Sequence, residues 1–280
     1  MKLGQKIAIN YIRARLNILA LVSKKKAAAK AFELFCTPFR RSKKKKPPVF
    51  DKAEKLHFTL DGIEVRGHRW NHPQQRKVLI VHGFESTTYN FDRYIMPLVR
   101  KGYEVLAFDA PAHGISGGKK ITLPLFVDTL RKIYELYGPI HSYLAHSFGG
   151  LALAHFLETY PHDRDTRVAL VAPATETVTA IDSFFRFLHL NNDIRHEFDD
   201  LIFQKSNVHP SHFSIRRAAH NIKATILWFH DEDDDMTPLD DALKVKEDNH
   251  DNITFVITKG LGHRRVYREN KIVRQVIEFL

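Results

Sequence analysis

The sequence has a single cysteine and no long apolar run, and each absence excludes a class of protein. Cys36 has no second cysteine with which to form an intrachain disulfide, and a lone cysteine is typical of a reducing compartment. We therefore expect a cytoplasmic protein. A transmembrane helix needs about 20 consecutive apolar residues, and the uninterrupted apolar stretch at 16–22 is shorter than that and contains Asn17. Lysines follow at 24–26 instead of a small-residue cleavage site, so no secretory signal is predicted.

Acidic residues are almost absent from the first 46 residues, where 14 lysines and arginines accompany one glutamate, Glu33. The other 234 residues contain 29 basic and 31 acidic residues, so the formal net charge of +11 belongs to a basic N-terminal arm and linker, predicted at residues 1–48. Such an arm can bind an anionic membrane surface, nucleic acid or an acidic partner, and the alternative is a solvated tail. The near-neutral remainder and the lack of a recognisable nucleic-acid-binding module argue against nucleic acid.

The arm itself is predicted to form two helices, at about 5–22 and 24–36, before a linker of lysines and prolines. One face of the first helix is apolar and surrounded by basic residues, as in helices that lie on a membrane surface. The apolar positions of this face are Ile9, Ile12, Leu16 and Leu19. This face either makes a peripheral contact with the inner face of the membrane or packs on the rest of the protein.

From about residue 55 onward, strand and helix patterns alternate. Asp61 and Gly62 form a dipeptide typical of a two-residue β-hairpin loop. The later strands are continuous apolar runs, as expected of parallel strands that are covered on both faces. They are predicted at 77–81, 103–108, 140–145, 167–171, 225–229 and 253–257. This pattern predicts an α/β fold with a mostly parallel, doubly wound sheet in a domain spanning residues 49–280.

The segment 177–221 interrupts this alternation and is too long for a plain connection. We interpret it as an inserted small helical cap over the sheet domain. It is rich in phenylalanine, at positions 184, 185, 187, 203 and 213. These rings either line an apolar acyl pocket or pack the cap onto the sheet.

The segment AHSFGG at 145–150 is the strongest chemical signal in the chain, because it follows a predicted strand and opens a predicted helix. A serine on such a sharp strand-to-helix turn exposes its hydroxyl at the carboxyl end of the sheet. The helix N-terminus that follows supplies backbone N–H groups to a developing oxyanion. Ser147 is therefore the candidate nucleophile.

With this segment, the chain from about residue 77 to the C terminus resembles the α/β-hydrolase superfamily, close to its bacterial esterase-like members. The first glycine of the family's Gly-x-Ser-x-Gly turn is replaced by Ala145. The segment VHGF at 81–84 is similar to the family's oxyanion loop, and the resemblance implies an oxyanion hole formed by the backbone N–H groups of Phe84 and Phe148. We expect His82 to brace this loop.

Two more segments are similar to the family's loops. The segment 109–117 matches a structural loop, so neither His113 nor Ser116 is assigned to catalysis. The segment 230–238 looks like the loop of the catalytic acid, with an aspartate at 231 where a glycine is usual. Alignment of both its ends places the acid at Asp234, and a one-residue shift would favour Asp233. The same acidic cluster could suggest a calcium site, but its spacing fits no EF-hand loop.

His263 follows the last predicted strand, where the family keeps its general base. The resemblance therefore implies a triad of Ser147, Asp234 and His263, in the chain order expected of this fold. It implies a serine hydrolase that cleaves a small-molecule carboxylic ester through an acyl-serine intermediate, with no metal and no organic cofactor. The alternatives are a thioesterase, an amidase or a carbon–carbon hydrolase on the same fold, and a non-catalytic, membrane-associated binding protein.

Overall fold

The computed structural model describes residues 3–39, 41 and 44–280, and these form two compact units. The helical unit contains the described residues up to Thr37 together with Glu176–Ser214, and the sheet unit contains the remainder. Residues 42 and 43, which begin the predicted linker, lie outside the described residues. The insertion leaves the sheet unit at Glu176 and returns at Ile215, so the last residues of the segment predicted as a cap group with the sheet.

The helical unit consists of four helices, two from the N-terminal arm and two from the insertion. They are α1 (Leu3–Val22), α2 (Lys24–Phe35), α6 (Thr177–Leu188) and α7 (Asn192–Ser206). The hydroxyl of Ser23 and the amide of Asn191 each accept a hydrogen bond from a backbone N–H of the helix that follows, which fixes where α2 and α7 begin. In the described part of the chain, no helix is long and apolar enough to span a membrane.

The face of α1 that is apolar in the sequence packs within this unit. Leu16 is 1% exposed and joins a cluster with Phe198 of α7 and Ile181 of α6. The ring of Phe32 on α2 meets the ring of Phe198 edge-on at a centroid distance of 5.7 Å. Lys24 forms an ion pair with Asp193 at 2.8 Å. The two arm helices and the two insertion helices therefore share one core.

The sheet unit is built on eight strands in the order β1-β2-β4-β3-β5-β6-β7-β8. β2 is antiparallel to both of its neighbours, and all other pairs are parallel. Asp61 and Gly62 both have positive φ and form the predicted hairpin turn. The strands are β1 (Glu54–Leu60), β2 (Ile63–Trp70), β3 (Lys77–Val81), β4 (Glu104–Asp109), β5 (Ser142–His146), β6 (Arg167–Val171), β7 (Thr225–Asp231) and β8 (Ile253–Thr258).

Helices cover both faces of the central strands β3, β4 and β5, which are buried along almost their whole length. Side chains alternate between faces along a strand, and on β3 Val78 and Ile80 join a core with α3 and α11, whereas Val81 lies on the α5 side next to Gly149. The helices of the sheet unit are α3 (Asp92–Arg100), α4 (Leu123–Tyr137), α5 (Phe148–Leu157), α8 (Ile215–Ala219), α9 (Leu239–Glu247), α10 (Gly262–Arg265) and α11 (Asn270–Phe279). The predicted doubly wound α/β architecture is confirmed.

Candidate active site

Ser147 lies on a strained turn between β5 and α5. Its φ is 55° and its ψ is −127°, a conformation that costs a non-glycine residue free energy and that clusters at functional sites. The turn brings its neighbours so close that side chains would not fit. A Cβ at Gly83 would lie 2.7 Å from Cβ of Ser147, and one at Gly149 would lie 2.4 Å from the carbonyl oxygen of His82. Glycine is therefore required at both positions.

The three residues predicted as a triad form one continuous hydrogen-bonded chain. His263 Nε2 lies 3.0 Å from Oγ of Ser147, and His263 Nδ1 lies 2.9 Å from Oδ2 of Asp234. The three residues are buried, with 5 to 8% of their surface exposed. They come from loops that follow β5, β7 and β8, whose carboxyl ends share one edge of the sheet because these strands are parallel.

The acid loop separates Asp234 from its rival Asp233. Asp234 accepts hydrogen bonds from the backbone N–H groups of Met236 and Thr237 and from the Thr237 hydroxyl. Burial acts to raise the pKa of Asp234, but the hydrogen bonds from His263 and from this loop outweigh it and hold this pKa below its usual value. Asp233 is exposed and accepts from the backbone of Gly260.

Asp231, which stands where the family has glycine, has a structural role that the sequence did not indicate. Its Oδ1 accepts from the backbone N–H groups of Leu261 and Gly262, directly before His263, and its Oδ2 accepts from the Thr258 hydroxyl. Burial acts to raise its pKa, and these hydrogen bonds lower it further than burial raises it. Asp231 therefore ties the acid loop to the loop of the base.

The acidic residues at 231–235 are not among the described side chains whose donor atoms come close enough together to hold a cation. In the described residues, one group of three metal-type ligands brings its donor atoms together, and it is His220, Asp248 and His250. Both carboxylate oxygens of that aspartate accept hydrogen bonds from Arg216 at 2.6 Å. The guanidinium already supplies the positive charge that a cation would bring.

Phe84 lies in the loop after β3, and Phe148, the residue after Ser147, is the first residue of α5. Within the described part of the chain, neither amide donates to a backbone acceptor. Their half-buried rings meet edge-on at a centroid distance of 6.1 Å. Both N–H groups are therefore without a backbone acceptor in the described structure, and their function as an oxyanion hole stays a prediction.

Two buried histidines hold the loop that carries Phe84. His82 Nδ1–H donates to the carbonyl of Gly83 and its Nε2 accepts from the backbone of Ala110. His113 Nε2 accepts from the backbone N–H of Glu85 at 3.0 Å. Burial lowers the pKa of both rings, to about 4 for His113. The hydrogen-bond partners of both imidazoles are backbone groups of these loops, which agrees with the bracing function expected for His82.

His146, immediately before the nucleophile, is a neighbour of the base that the sequence did not single out. Its Nε2–H donates to the backbone carbonyl of His263 at 3.2 Å, and the two rings are 4.7 Å apart. The ring also packs against Tyr267 at 4.3 Å. Burial and the neighbouring His263 lower the pKa of His146 to about 3, so the ring is neutral at physiological pH. A strand-end position beside the serine is the one sequence signal that could have indicated it.

The phenylalanines of the insertion divide between packing and exposure. Phe184, Phe185 and Phe213 contribute to the core of the helical unit, whereas Phe187 and Phe203 are 50% and 42% exposed. Packing therefore accounts for three of the five rings that were candidates for an acyl pocket.

A model of the serine aminopeptidase family (S33) matches residues 72–199 of this chain. That segment contains Phe84, Ser147 and Phe148 but ends before Asp234 and His263. The match therefore does not include the candidate acid or the candidate base, whose proximity to Ser147 is an observation of the structure alone.

Curated relatives are similar over part of their length. A serine hydrolase-like protein of Danio rerio is 28% identical over 123 residues, which is 42% of this chain and 37% of the relative. The uncharacterized hydrolase YugF of Bacillus subtilis is 31% identical over 101 residues, which is 33% of this chain and 35% of the relative. The chain thus matches about a third of the length of these two relatives.

Among solved structures, the Pyrococcus furiosus esterase Pf2001 has a TM-score of 0.65 at 19% identity, covering 87% of this chain and 98% of that one. A thioesterase domain from the curacin biosynthetic pathway has a TM-score of 0.58 at 14% identity, covering 80% and 99%. At these identities the likeness establishes the fold. The fold predicted from the sequence is therefore confirmed.

Proposed function

We propose that this chain, a member of the α/β-hydrolase superfamily, is a serine hydrolase that cleaves a carboxylic ester through an acyl-serine intermediate. The observation that carries the proposal is the hydrogen-bonded chain from Ser147 through His263 to Asp234, on a serine held at positive φ. A serine hydroxyl is a poor nucleophile unless an adjacent base accepts its proton.

In this mechanism, His263 Nε2 accepts the proton of Ser147 as Oγ attacks the carbonyl carbon, and returns it to the leaving alcohol. Asp234 accepts from Nδ1–H of His263, which fixes the tautomer and stabilises the imidazolium. The N–H groups of Phe84 and Phe148 donate to the oxyanion, where one donor is worth about 3 kcal/mol. A water molecule, activated by His263, then attacks the acyl group and releases the acid and the free serine.

One triad can catalyse many acyl transfers, so the triad alone does not determine which bond is cleaved. The acyl group and the leaving group that the site accepts determine it. Thioester, amide and carbon–carbon hydrolysis are therefore the alternative reactions. The remaining alternative is a binding protein that does not turn over substrate. The half-buried Phe84 and Phe148 rings suit an apolar acyl chain in each of these reactions. We favour an ester over an amide or a carbon–carbon bond because an alcohol leaves more readily than an amine or a carbon acid.

The test is labelling of the full-length protein with a fluorophosphonate, followed by mass spectrometry of the modified peptide. We expect labelling at Ser147, and none in Ser147→Ala at unchanged thermal stability. A matched series of nitrophenyl esters, a thioester and an arylamide then ranks the bond types by kcat/KM. Full ester hydrolysis by Ser147→Ala would refute the nucleophile. Labelling without turnover of any substrate in the series would favour the binding protein.

A further inference from the structure

The helix α1 has a second apolar face, opposite to the face that packs in the helical unit. It is formed by exposed side chains that lie within one side of the helix at 100° per residue. These side chains are 61 to 88% exposed, and they are Ile7, Tyr11, Ile18, Leu21 and Val22. We call this set the outer face of α1. The apolar positions that the sequence offered for either membrane contact or packing, Leu16 among them, lie on the packed face.

The outer face is long, straight and fixed in place. From Ile7 to Val22 it extends for about 22 Å along the helix axis. Leu16 anchors the other side of α1 in the core, and Nε of Arg13 donates to the carbonyl of Leu188 at 3.1 Å. Because α1 is already folded and anchored, its apolar side chains form one surface. Binding to a partner then requires no loss of conformational entropy to form the helix.

The basic residues near the outer face indicate which kind of partner binds there. The first acidic residue of the chain is Glu33, and eight lysines and arginines precede it. Arg15 is exposed on α1, and Lys25 and Lys26 are exposed just beyond its C-terminal end. Anionic lipid headgroups complement these charges, and the apolar side chains fit the boundary between headgroups and acyl chains. A second copy packed outer face against outer face would oppose two α1 helices, each of which contains basic residues and no acidic ones.

We infer that the outer face of α1 docks the protein on an anionic membrane surface. The helix then lies in the plane of the interface, because it is not apolar enough to span the bilayer. This inference is independent of the reaction at Ser147, since it uses no residue of the catalytic machinery.

The test is flotation of the full-length protein with vesicles of phosphatidylcholine alone and with vesicles rich in phosphatidylserine. We expect binding to the phosphatidylserine vesicles that weakens as salt is added. The double variant Ile18→Ser/Leu21→Ser should bind about tenfold or more weakly, because two apolar side chains no longer enter the interface. Leu136→Ser, a partly exposed leucine on α4, is the matched control and should bind like the wild type.

A second variant tests the charges without touching the apolar side chains. Lys25→Glu/Lys26→Glu should lose binding to phosphatidylserine vesicles, while its unfolding temperature and its hydrolysis of a soluble ester stay as in the wild type. Wild-type protein that fails to float with these vesicles, or equal binding by Ile18→Ser/Leu21→Ser, would overturn the inference. A dimer in light scattering that Ile18→Ser/Leu21→Ser converts to a monomer, without vesicle binding, would assign the outer face to a second copy.

Discussion

At the scale of single residues, the site depends on carboxylates that look alike in the sequence and differ in what they contact. Four aspartates and a glutamate occupy residues 231–235, which are the last residue of β7 and the four that follow it. Asp234 is buried against His263, Asp231 holds the loop of the base, and Asp233 is exposed. Aspartates of the same loop therefore have different contacts, and each set of contacts predicts a different result of mutation.

Asp234→Asn should lower kcat by about four orders of magnitude with little change in KM, because an amide no longer holds His263 in the tautomer that accepts a proton. Asp233→Asn is the matched control and should keep kcat within about twofold, since its side chain makes no contact with the base. Steady-state hydrolysis of a nitrophenyl ester measures both. A loss in Asp233→Asn equal to that in Asp234→Asn would move the acid by one residue.

Asp231→Ala should lower the free energy of unfolding by about 3 kcal/mol, because the Leu261 and Gly262 amides lose their acceptor and the Thr258 hydroxyl loses the nearer of its two acceptors. Urea denaturation measures this change, and fluorophosphonate labelling should slow as well because His263 is no longer held. Asp235→Ala, an exposed position in the same loop, should change stability by less than about 0.5 kcal/mol. Equal stability of the two variants would contradict the tie between the loops.

At the scale of elements, the arm helices are part of a core and not a solvated tail. Leu16 on α1 is 1% exposed, whereas Leu21 on the same helix is 88% exposed. Leu16→Ala should therefore cost about 2–5 kcal/mol of the stability of the helical unit, while Leu21→Ala should cost less than about 0.5 kcal/mol. The rate of limited proteolysis within the segment 176–214 measures this loss of stability. Equal protection in both variants would show that α1 does not stabilise the insertion.

The sequence predicted the strands and most helices because their signals are local. The Asp61-Gly62 turn and the apolar runs of β3 and β4 need no information from elsewhere in the chain. The partner of the arm could not be predicted, because contact between Phe32 and Phe198 joins positions far apart in the sequence. The sequence left open which side of α1 packs for a similar reason. Both sides of this helix are apolar, and periodicity alone does not tell which side meets a partner.

The proximity of Ser147, Asp234 and His263 was predictable for a different reason. These residues follow three parallel strands, and parallel strands end at one edge of a sheet. The hydrogen bonds of Asp231 to the His263 loop were not predictable, because an aspartate in place of a glycine does not indicate its partners. The packing of His146 against His263 was not predictable either, because a single histidine forms no sequence pattern.

At the scale of the whole molecule, buried neutral histidines make stability depend on pH. Burial lowers the pKa of His113 to about 4 and of His146 to about 3, from 6.5 in the unfolded chain. Below about pH 6.5 the unfolded state binds protons that the folded state does not. The stability these groups contribute is therefore complete above pH 6.5 and is lost as pH falls towards 4.

The free energy of unfolding should fall by up to about 1.4 kcal/mol per pH unit for each such histidine across this range. Urea denaturation at a series of pH values measures the slope. His113→Gln should reduce the slope by about one proton, and His57→Gln, at an exposed position, should leave it unchanged. A slope in His113→Gln as steep as that of the wild type would show that His113 does not remain neutral in the folded protein.

The division of the helical unit between two distant chain segments has a consequence for synthesis. The arm ends at Thr37 and the insertion begins at Glu176, so roughly 140 residues are translated before the arm meets its partner. At about 5–20 residues per second, the interval is roughly 7–30 s. During this time the apolar side chains of α1 and α2 emerge from the ribosome with nothing to cover them. We expect chaperones to bind the nascent arm during this interval, and the insertion to displace them once it has been translated.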